Sequence, residues 1–230
     1  MTFQRKQRAL GDIHFCFLSQ LAYNSEILSK FVGMNKLKRY FRWLCRIGYC
    51  RGFGVQSPSA YRFIRYVINE HYPYYAYSDL RSELPDVSWL ERMRMELYFR
   101  IANFRQASTW LCYGGDTALL KRYVSSGCKA SAVRAVQTKE ARDGKMEAET
   151  VEVALIRPVE GSEDFLTSVL QHSDMDTLIL VEDIYDNPSA RKMWQTLLSN
   201  PRVSVCYDLY YLGIAFTDTD RYKTSYIVNF

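Results

Sequence analysis

The 230-residue sequence has few of the residues that build metal centres or disulfide frameworks. It contains three histidines, His14, His71 and His172, and none belongs to a His-x-x-x-His or His–Cys group. Its six cysteines form no Cys-x-x-Cys pair. The spacing therefore indicates neither a zinc site nor a disulfide-stapled scaffold, and we expect reduced thiols and no bound metal.

Long hydrophobic runs are also missing. The most apolar early stretch, 13–23, is short and is interrupted by His14, Ser19 and Gln20. It resembles neither a membrane span nor a good signal peptide, so we expect a cytoplasmic protein without a transmembrane segment. There is no Gly-x-Ser-x-Gly run and no phosphate-binding Gly-x-x-x-x-Gly-Lys-Ser/Thr run. Serine hydrolases and P-loop enzymes are therefore disfavoured.

What the sequence does contain is typical of a folded domain. Hydrophobic residues make up 48% of the chain and charged residues 24%, which places it far from the composition of disordered proteins. Charge is unevenly distributed: residues 1–65 hold 12 Lys/Arg and two Asp/Glu, whereas residues 66–230 hold 18 and 23. A basic amino-terminal segment thus precedes a mildly acidic body.

The clearest feature of the basic segment is a predicted amphipathic helix over 35–47. Leu37, Tyr40, Phe41 and Leu44 recur at three- and four-residue steps, and Lys or Arg occupies most other positions. Three interpretations remain open. The apolar face docks on the acidic body, or the helix lies on an anionic lipid surface, or its cations follow the phosphates of a nucleic acid.

The rest of the chain divides into three parts by its periodicity. Residues 1–33 show no strong period and are expected to form a loosely attached tail. Residues 34–106 are expected to form a helical cap that includes an aromatic loop over 71–77. Residues 107–230 alternate short apolar runs with helical segments, beginning with a strand over Thr109–Tyr113. This alternation predicts a mainly parallel sheet with helices on both faces.

The carboxyl-terminal part departs from this alternation. Three apolar runs, 203–207, 212–216 and 225–228, follow one another with short links. Short links join antiparallel strands, so we expect antiparallel edge strands to close the parallel sheet. The predicted fold class is α/β, a Rossmann-like sheet with a helical cap at its amino terminus.

This order of elements resembles that of the class I S-adenosylmethionine-dependent methyltransferases. The runs 52–58 (GFGVQSP), 74–77 (YYAY), 178–184 and 208–213 (DLYYLG) are similar to those of an O-methyltransferase-like group of the Bacteroidetes. The resemblance covers about 34–230. Members of that group begin near the position of Met34, which suggests that translation starts there; peptides from residues 1–33 in the native protein would contradict this.

The resemblance implies a cofactor site and an acceptor site. Gly114, Gly115 and Asp116 match the turn that contacts S-adenosylmethionine after the first strand. Gln137 matches the position that holds the ribose hydroxyls. Asp183 matches the residue that faces the acceptor, a small molecule whose identity the sequence does not specify. A structural alternative is that Asp183 and Asp186 cap the helix that begins near Pro188.

Four departures from the family pattern bear on activity. Cys112 and Gln137 stand where the family has carboxylates, and Arg157 stands where related enzymes carry an acid after the fourth strand. The fourth departure is a stretch of about a dozen polar residues, 138–149, in place of the usual helix, strand and helix. Two hypotheses follow: methyl transfer from S-adenosylmethionine, or a non-catalytic descendant that acts as a binding module through its basic helix.

Overall fold

The computed structural model describes residues 34–49, 52, 54–83, 86–137 and 151–230. The chain divides into two compact units after Gly48. Helix α1 spans Met34–Cys45 in the first unit, and a 3-10 turn at Ile47–Tyr49 includes the division between the units. The predicted tail (1–33) and the polar insertion (138–149) lie outside the described residues.

In the described part of the second unit, three helices precede the sheet. Helix α2, Pro58–Phe63, begins with proline after the capping residue Ser57 and continues as a π-helical segment, Ile64–Ile68. Helix α3 is Tyr75–Glu83, and helix α4 is Trp89–Arg105. The segment 71–77 was expected to be a loop. The loop ends at Tyr74 instead, because Tyr75–Tyr77 form the first turn of α3.

In the described residues, the sheet has seven strands. They are β1 (Thr109–Tyr113), β2 (Ala132–Val136), β3 (Val153–Ile156), β4 (Leu178–Glu182), β5 (Val205–Asp208), β6 (Leu212–Phe216) and β7 (Thr224–Ile227). Their spatial order is β2-β1-β3-β4-β6-β5-β7. Helices α5 (Ala118–Gly127), α6 (Ser162–Gln171) and α7 (Pro188–Ser199) alternate with the strands. Among the strands that the structure describes, only β6 is antiparallel to both of its neighbours, β4 and β5.

Both faces of the sheet are buried. Trp110, Cys112 and Leu155 face a core formed with α2 to α5, whereas Leu111 and Ile156 face a second core formed with α6 and α7. Successive strand residues point to opposite faces, so a strand covered on both sides needs a continuous apolar run. The four residues of β3, Val-Ala-Leu-Ile, meet this requirement and are all buried.

The predicted fold class is confirmed. Strands β1 and β6 have the predicted bounds, and helices lie on both faces of a mainly parallel sheet. Antiparallel strands were expected at the edge of the sheet. The antiparallel strand β6 lies inside the sheet instead, and the edge strand β7 is parallel to its neighbour β5. Helices α2 to α4, expected as a cap, belong to the same compact unit as the sheet. No described helix has the length and apolar character needed to cross a membrane.

Candidate functional site

The carboxyl ends of β1, β3 and β4 lie side by side, since the three strands are parallel neighbours. β1 is followed by Gly114-Gly115, β3 by Arg157, and β4 ends in Glu182 and continues into Asp183. In an open α/β sheet, ligands bind in the crevice outside these strand ends. The residues that fill this crevice therefore decide what it can bind.

The turn after β1 is closed by side chains from the segment after β3. Gly114 and Gly115 have φ values of 87° and 72°, a conformation that favours glycine. A Cβ on Gly114 would lie 2.9 Å from Cγ2 of Val159, and a Cβ on Gly115 would lie 2.8 Å from Nη1 of Arg157. The same Nη1 donates hydrogen bonds to the carbonyls of Gly114 (3.1 Å) and Asp116 (2.6 Å). Arg157 therefore holds the turn from the side of β3.

Glu182 is the centre of a buried polar network. Its Oε1 accepts a hydrogen bond from the Tyr98 hydroxyl at 2.7 Å and lies 3.5 Å from Nε of Arg157. Its Oε2 accepts from Nη1 of Arg94 at 3.1 Å. The other terminal nitrogen of Arg94 donates to Asp183. Two carboxylates and two guanidiniums thus neutralise one another in a region where an unpaired charge would be costly.

The pKa values of the network follow from burial and from these pairs. Burial is the largest single influence and lowers the pKa values of Arg94 and Arg157, but Glu182 and the other partners together outweigh it, so both guanidinium pKa values are raised. Burial, and then Glu182, raises the pKa of the Tyr98 hydroxyl well above its ordinary value. Tyr98 therefore remains a neutral hydrogen-bond donor, and the two arginines remain charged.

Asp183, which the resemblance implies as the catalytic residue facing the acceptor, lies in a left-handed turn with φ 58°. Its amide donates to the carbonyl of Tyr211 at 2.8 Å, which holds the turn against the start of β6. Its carboxylate pairs with Arg94 and does not cap α7. The capping residue is Asn187, whose Oδ1 accepts from the amides of Ser189 and Ala190. The expectation that Asp183 and Asp186 cap this helix is therefore wrong for Asp183.

A cavity of about 340 Å³ lies beside the network, between the amino-terminal half of α4, the start of α5 and the strand ends. Its lining residues are Ser88, Leu90, Glu91, Arg94, Met95, Asp116, Leu119, Arg157 and Glu182. This volume is at the lower end of the range for small-molecule sites. The lining mixes both signs of charge with an apolar wall.

Of the five residues predicted to form the site, only Asp116 lines this cavity. The Oδ1 atom of Asp116 accepts a hydrogen bond from the amide of Ala118 at 2.9 Å, next to the start of α5. Gln137 follows β2 and is exposed. Asp116 and Asp183 thus lie at the same edge of the sheet. The carboxylate of Asp116 accepts a hydrogen bond from Ala118, and that of Asp183 pairs with Arg94.

Sequence reasoning missed Arg94 and Tyr98. They are four residues apart on α4, whose buried face also contains the apolar residues Met95, Leu97 and Ile101. A polar pair at this spacing shares one face of a helix. Polar side chains on an otherwise apolar, buried face require polar partners inside the protein. This pattern in the sequence could have identified Arg94 and Tyr98 as parts of a buried polar network.

The residues present do not fit S-adenosylmethionine at the predicted turn. The cofactor requires close approach to the backbone of the glycine turn. That approach is taken by Arg157 and Val159, and neither Gly114 nor Gly115 lines the neighbouring cavity. Within the part of the chain that the structure describes, no group of three or more His, Cys, Asp or Glu side chains is arranged to hold a metal ion.

Comparisons with known proteins give likenesses of structure only. No protein-family description and no curated protein matches the sequence. A candidate caffeoyl-CoA O-methyltransferase of Staphylococcus aureus is 11% identical, with 61% of this chain and 91% of that chain covered and a TM-score of 0.49. A methyltransferase of Podospora anserina bound to S-adenosylhomocysteine is 13% identical, with 75% and 98% covered and a TM-score of 0.47.

A third solved structure is similar to this chain to a comparable degree. The O-methyltransferase TomG of Streptomyces achromogenes, in complex with S-adenosylmethionine, is 12% identical, with 64% of this chain and 91% of that chain covered and a TM-score of 0.43. At such identities and TM-scores, the activities of those proteins do not transfer to this chain. Its fold class rests on its own strand order and its site on its own contacts.

Proposed function

We propose that this chain is a methyltransferase-like protein that keeps the scaffold but does not transfer methyl groups, and that it serves as a binding module. One observation carries the proposal: Arg157 donates hydrogen bonds to the carbonyls of Gly114 and Asp116 in the turn that would have to receive the cofactor. The resemblance to the Bacteroidetes group then describes descent, and the family's chemistry is lost.

The energetic cost of reopening the turn supports this proposal. Entry of the cofactor would require Arg157 to leave its two carbonyls and its place 3.5 Å from Glu182. Removing one partner from a buried ion pair typically costs about 3–5 kcal/mol. A cost of that size lowers the affinity for a ligand by about a hundredfold or more.

The acceptor side of the crevice supports the same conclusion. Asp183 would need a free carboxylate to orient an acceptor hydroxyl, yet its Oδ1 is paired with Arg94. Glu182, its neighbour, is bound by Arg94, Tyr98 and Arg157. The two acids therefore stabilise the junction between α4 and the sheet.

Methyl transfer is the second candidate, favoured by the two left-handed glycines directly before α5 and by the cavity beside Asp116. In this case Gly114, Gly115 and Asp116 contact S-adenosylmethionine, Gln137 faces the ribose, and Asp183 faces the acceptor. Arg157 would have to move out of the turn on binding. The ligand would have to bind the open turn more tightly than the closed turn, by enough to compensate for the lost interactions of Arg157.

Isothermal titration with S-adenosylmethionine and S-adenosylhomocysteine tests the proposal. We expect no saturable heat from the folded wild-type chain, even at ligand concentrations that detect binding in the range of hundreds of micromolar. Arg157→Ala is the informative variant, because weak binding that appears only there would attribute the exclusion to this side chain. Saturable heat at one site per wild-type chain would overturn the proposal and lead to acceptor screening with Asp183→Ala as the control.

A further inference from the structure

The first unit carries a surface that the crevice does not explain. Helix α1 places Leu37, Tyr40, Phe41 and Leu44 at steps of three and four residues. At about 100° per residue, these positions share one face of the helix. The ring of Tyr40 is 60% exposed and that of Phe41 is 45% exposed. The apolar face is therefore not covered at these two positions.

The charged positions of this segment all carry the same sign. Lys36, Lys38 and Arg39 lie in the first half of the helix. No Asp or Glu occurs anywhere between Met34 and Arg65. An apolar face beside a polar face that is only basic is the pattern of helices that lie in a membrane interface.

From this arrangement we propose that α1 binds reversibly to the surface of an anionic phospholipid bilayer. The apolar face enters the boundary between headgroups and acyl chains, and Lys36, Lys38 and Arg39 supply the attraction to the headgroup phosphates. A duplex nucleic acid would pair with the cations but would leave the rings of Tyr40 and Phe41 in water, since its bases are already stacked. A bilayer surface satisfies both sets of residues, and the shortness of the helix makes the attachment reversible.

Sedimentation of the full chain with lipid vesicles tests this proposal. Vesicles of phosphatidylcholine alone are compared with vesicles that also contain phosphatidylglycerol, at low and at physiological salt. We expect the protein to sediment with the anionic vesicles and to remain in solution with the neutral ones. Added salt is expected to release it, because salt screens the attraction between the cations and the phosphates.

Two double variants separate the apolar and the charged contributions. Tyr40→Ser with Phe41→Ser is expected to lower the partition coefficient between vesicles and solution by about tenfold or more. The control is Tyr222→Ser, at a residue of the second unit that is 94% exposed, and it should leave the partition coefficient unchanged. Lys38→Glu with Arg39→Glu is expected to lower it by about tenfold or more. Lys121→Glu with Lys129→Glu, at exposed positions of the second unit, is the control for charge.

Three outcomes would overturn the proposal. One is a wild-type chain that stays in solution with anionic vesicles at low salt. Another is association that survives both α1 double variants, which would place the contact elsewhere in the chain. The third is association that duplex DNA abolishes and that the ring variant does not weaken, which would indicate a nucleic-acid site. Circular dichroism of each variant shows that it is folded, and none of these results depends on the cofactor titration.

Discussion

The guanidinium of Arg157 occupies the space that a side chain on Gly115 would need. Nη1 of Arg157 lies 2.8 Å from the position of a Cβ on Gly115, closer than real Cβ contacts come. Glycine at this position therefore has a structural reason that does not involve a cofactor. The contact with Arg157 also explains why the turn is closed.

Substitution of Gly115 tests this relationship. Gly115→Ala is expected to destabilise the protein more than Gly54→Ala, because both glycines have positive φ but a Cβ on Gly54 would meet nothing within 4 Å. The left-handed conformation alone costs about 1–2 kcal/mol, and overpacking against Arg157 adds about 1 kcal/mol or more. Urea denaturation measures both.

An Arg157→Ala background supplies the control for that comparison. Without the guanidinium, the two Gly→Ala substitutions should cost similar free energies of unfolding, since only the backbone term remains. Equal costs in the wild-type background would show that Arg157 does not contact the turn as described.

Arg94 is expected to be one of the most important polar residues for stability. Its side chain is 11% exposed and pairs with Glu182 and Asp183, so Arg94→Ala leaves two carboxylates without that partner. Removal of one member of a buried ion pair costs about 3–5 kcal/mol. The matched control is Arg122→Ala, whose partner Glu83 is also exposed and whose loss should cost about 1 kcal/mol or less. Thermal and urea denaturation that gave similar values for both variants would contradict the assignment.

Alkaline pH is expected to destabilise the fold through Tyr77. Burial raises the pKa of Tyr77 from its ordinary 10.0 to about 12, partly offset by Arg100. Because the unfolded chain releases this proton at a lower pH, the stabilising contribution is complete below pH 10 and is lost as the pH rises towards 12. The free energy of unfolding of Tyr77→Phe should fall less steeply over this interval than that of the wild type. Tyr222→Phe is the control at an exposed ring, and a Tyr77→Phe slope as steep as the wild type's would exclude this explanation.

Two buried thiols are expected to resist alkylation. Burial raises the pKa of Cys112 to about 11 and that of Cys206 to about 12, whereas Cys45 is exposed. At pH 8 only about one Cys112 in a thousand would be a thiolate, which is the reactive form. Iodoacetamide followed by peptide mass spectrometry should find Cys45 modified in the native protein, and Cys112 and Cys206 modified only after unfolding. Rapid native labelling of Cys112 would show that the crevice is open.

Local sequence patterns were sufficient to predict most of the second unit. Strands β1 and β6 have their predicted bounds because apolar runs of strand length are bounded by polar or turn-forming residues. Helix α3 was missed, since its first residues belong to the aromatic run 72–77, which reads equally well as a loop, and no helix was predicted between that run and Ser88. Its rings pack on α4, where Tyr77 lies 5.1 Å from Phe99, and this tertiary contact favours a helix over Tyr75–Glu83.

The candidate site was less accessible to such reasoning. The glycine turn and the acids after β4 could be located from sequence, because strand ends and glycines are local signals. Their partners could not, since Arg94 and Glu182 are 88 residues apart and Arg157 is 43 residues from Gly114. Which of these groups meet depends on the order of the strands, and in particular on β3 lying between β1 and β4.

The sequence by itself therefore determined the α/β alternation, the basic helix and the residue types at the strand ends, because these depend on periodicity and composition. The tertiary structure alone decided that Arg157 lies in the turn of Gly114 and Gly115 and that Arg94 pairs with the acids after β4. Those contacts depend on strand order and on the space left between side chains. Neither can be read from residues that are close in sequence.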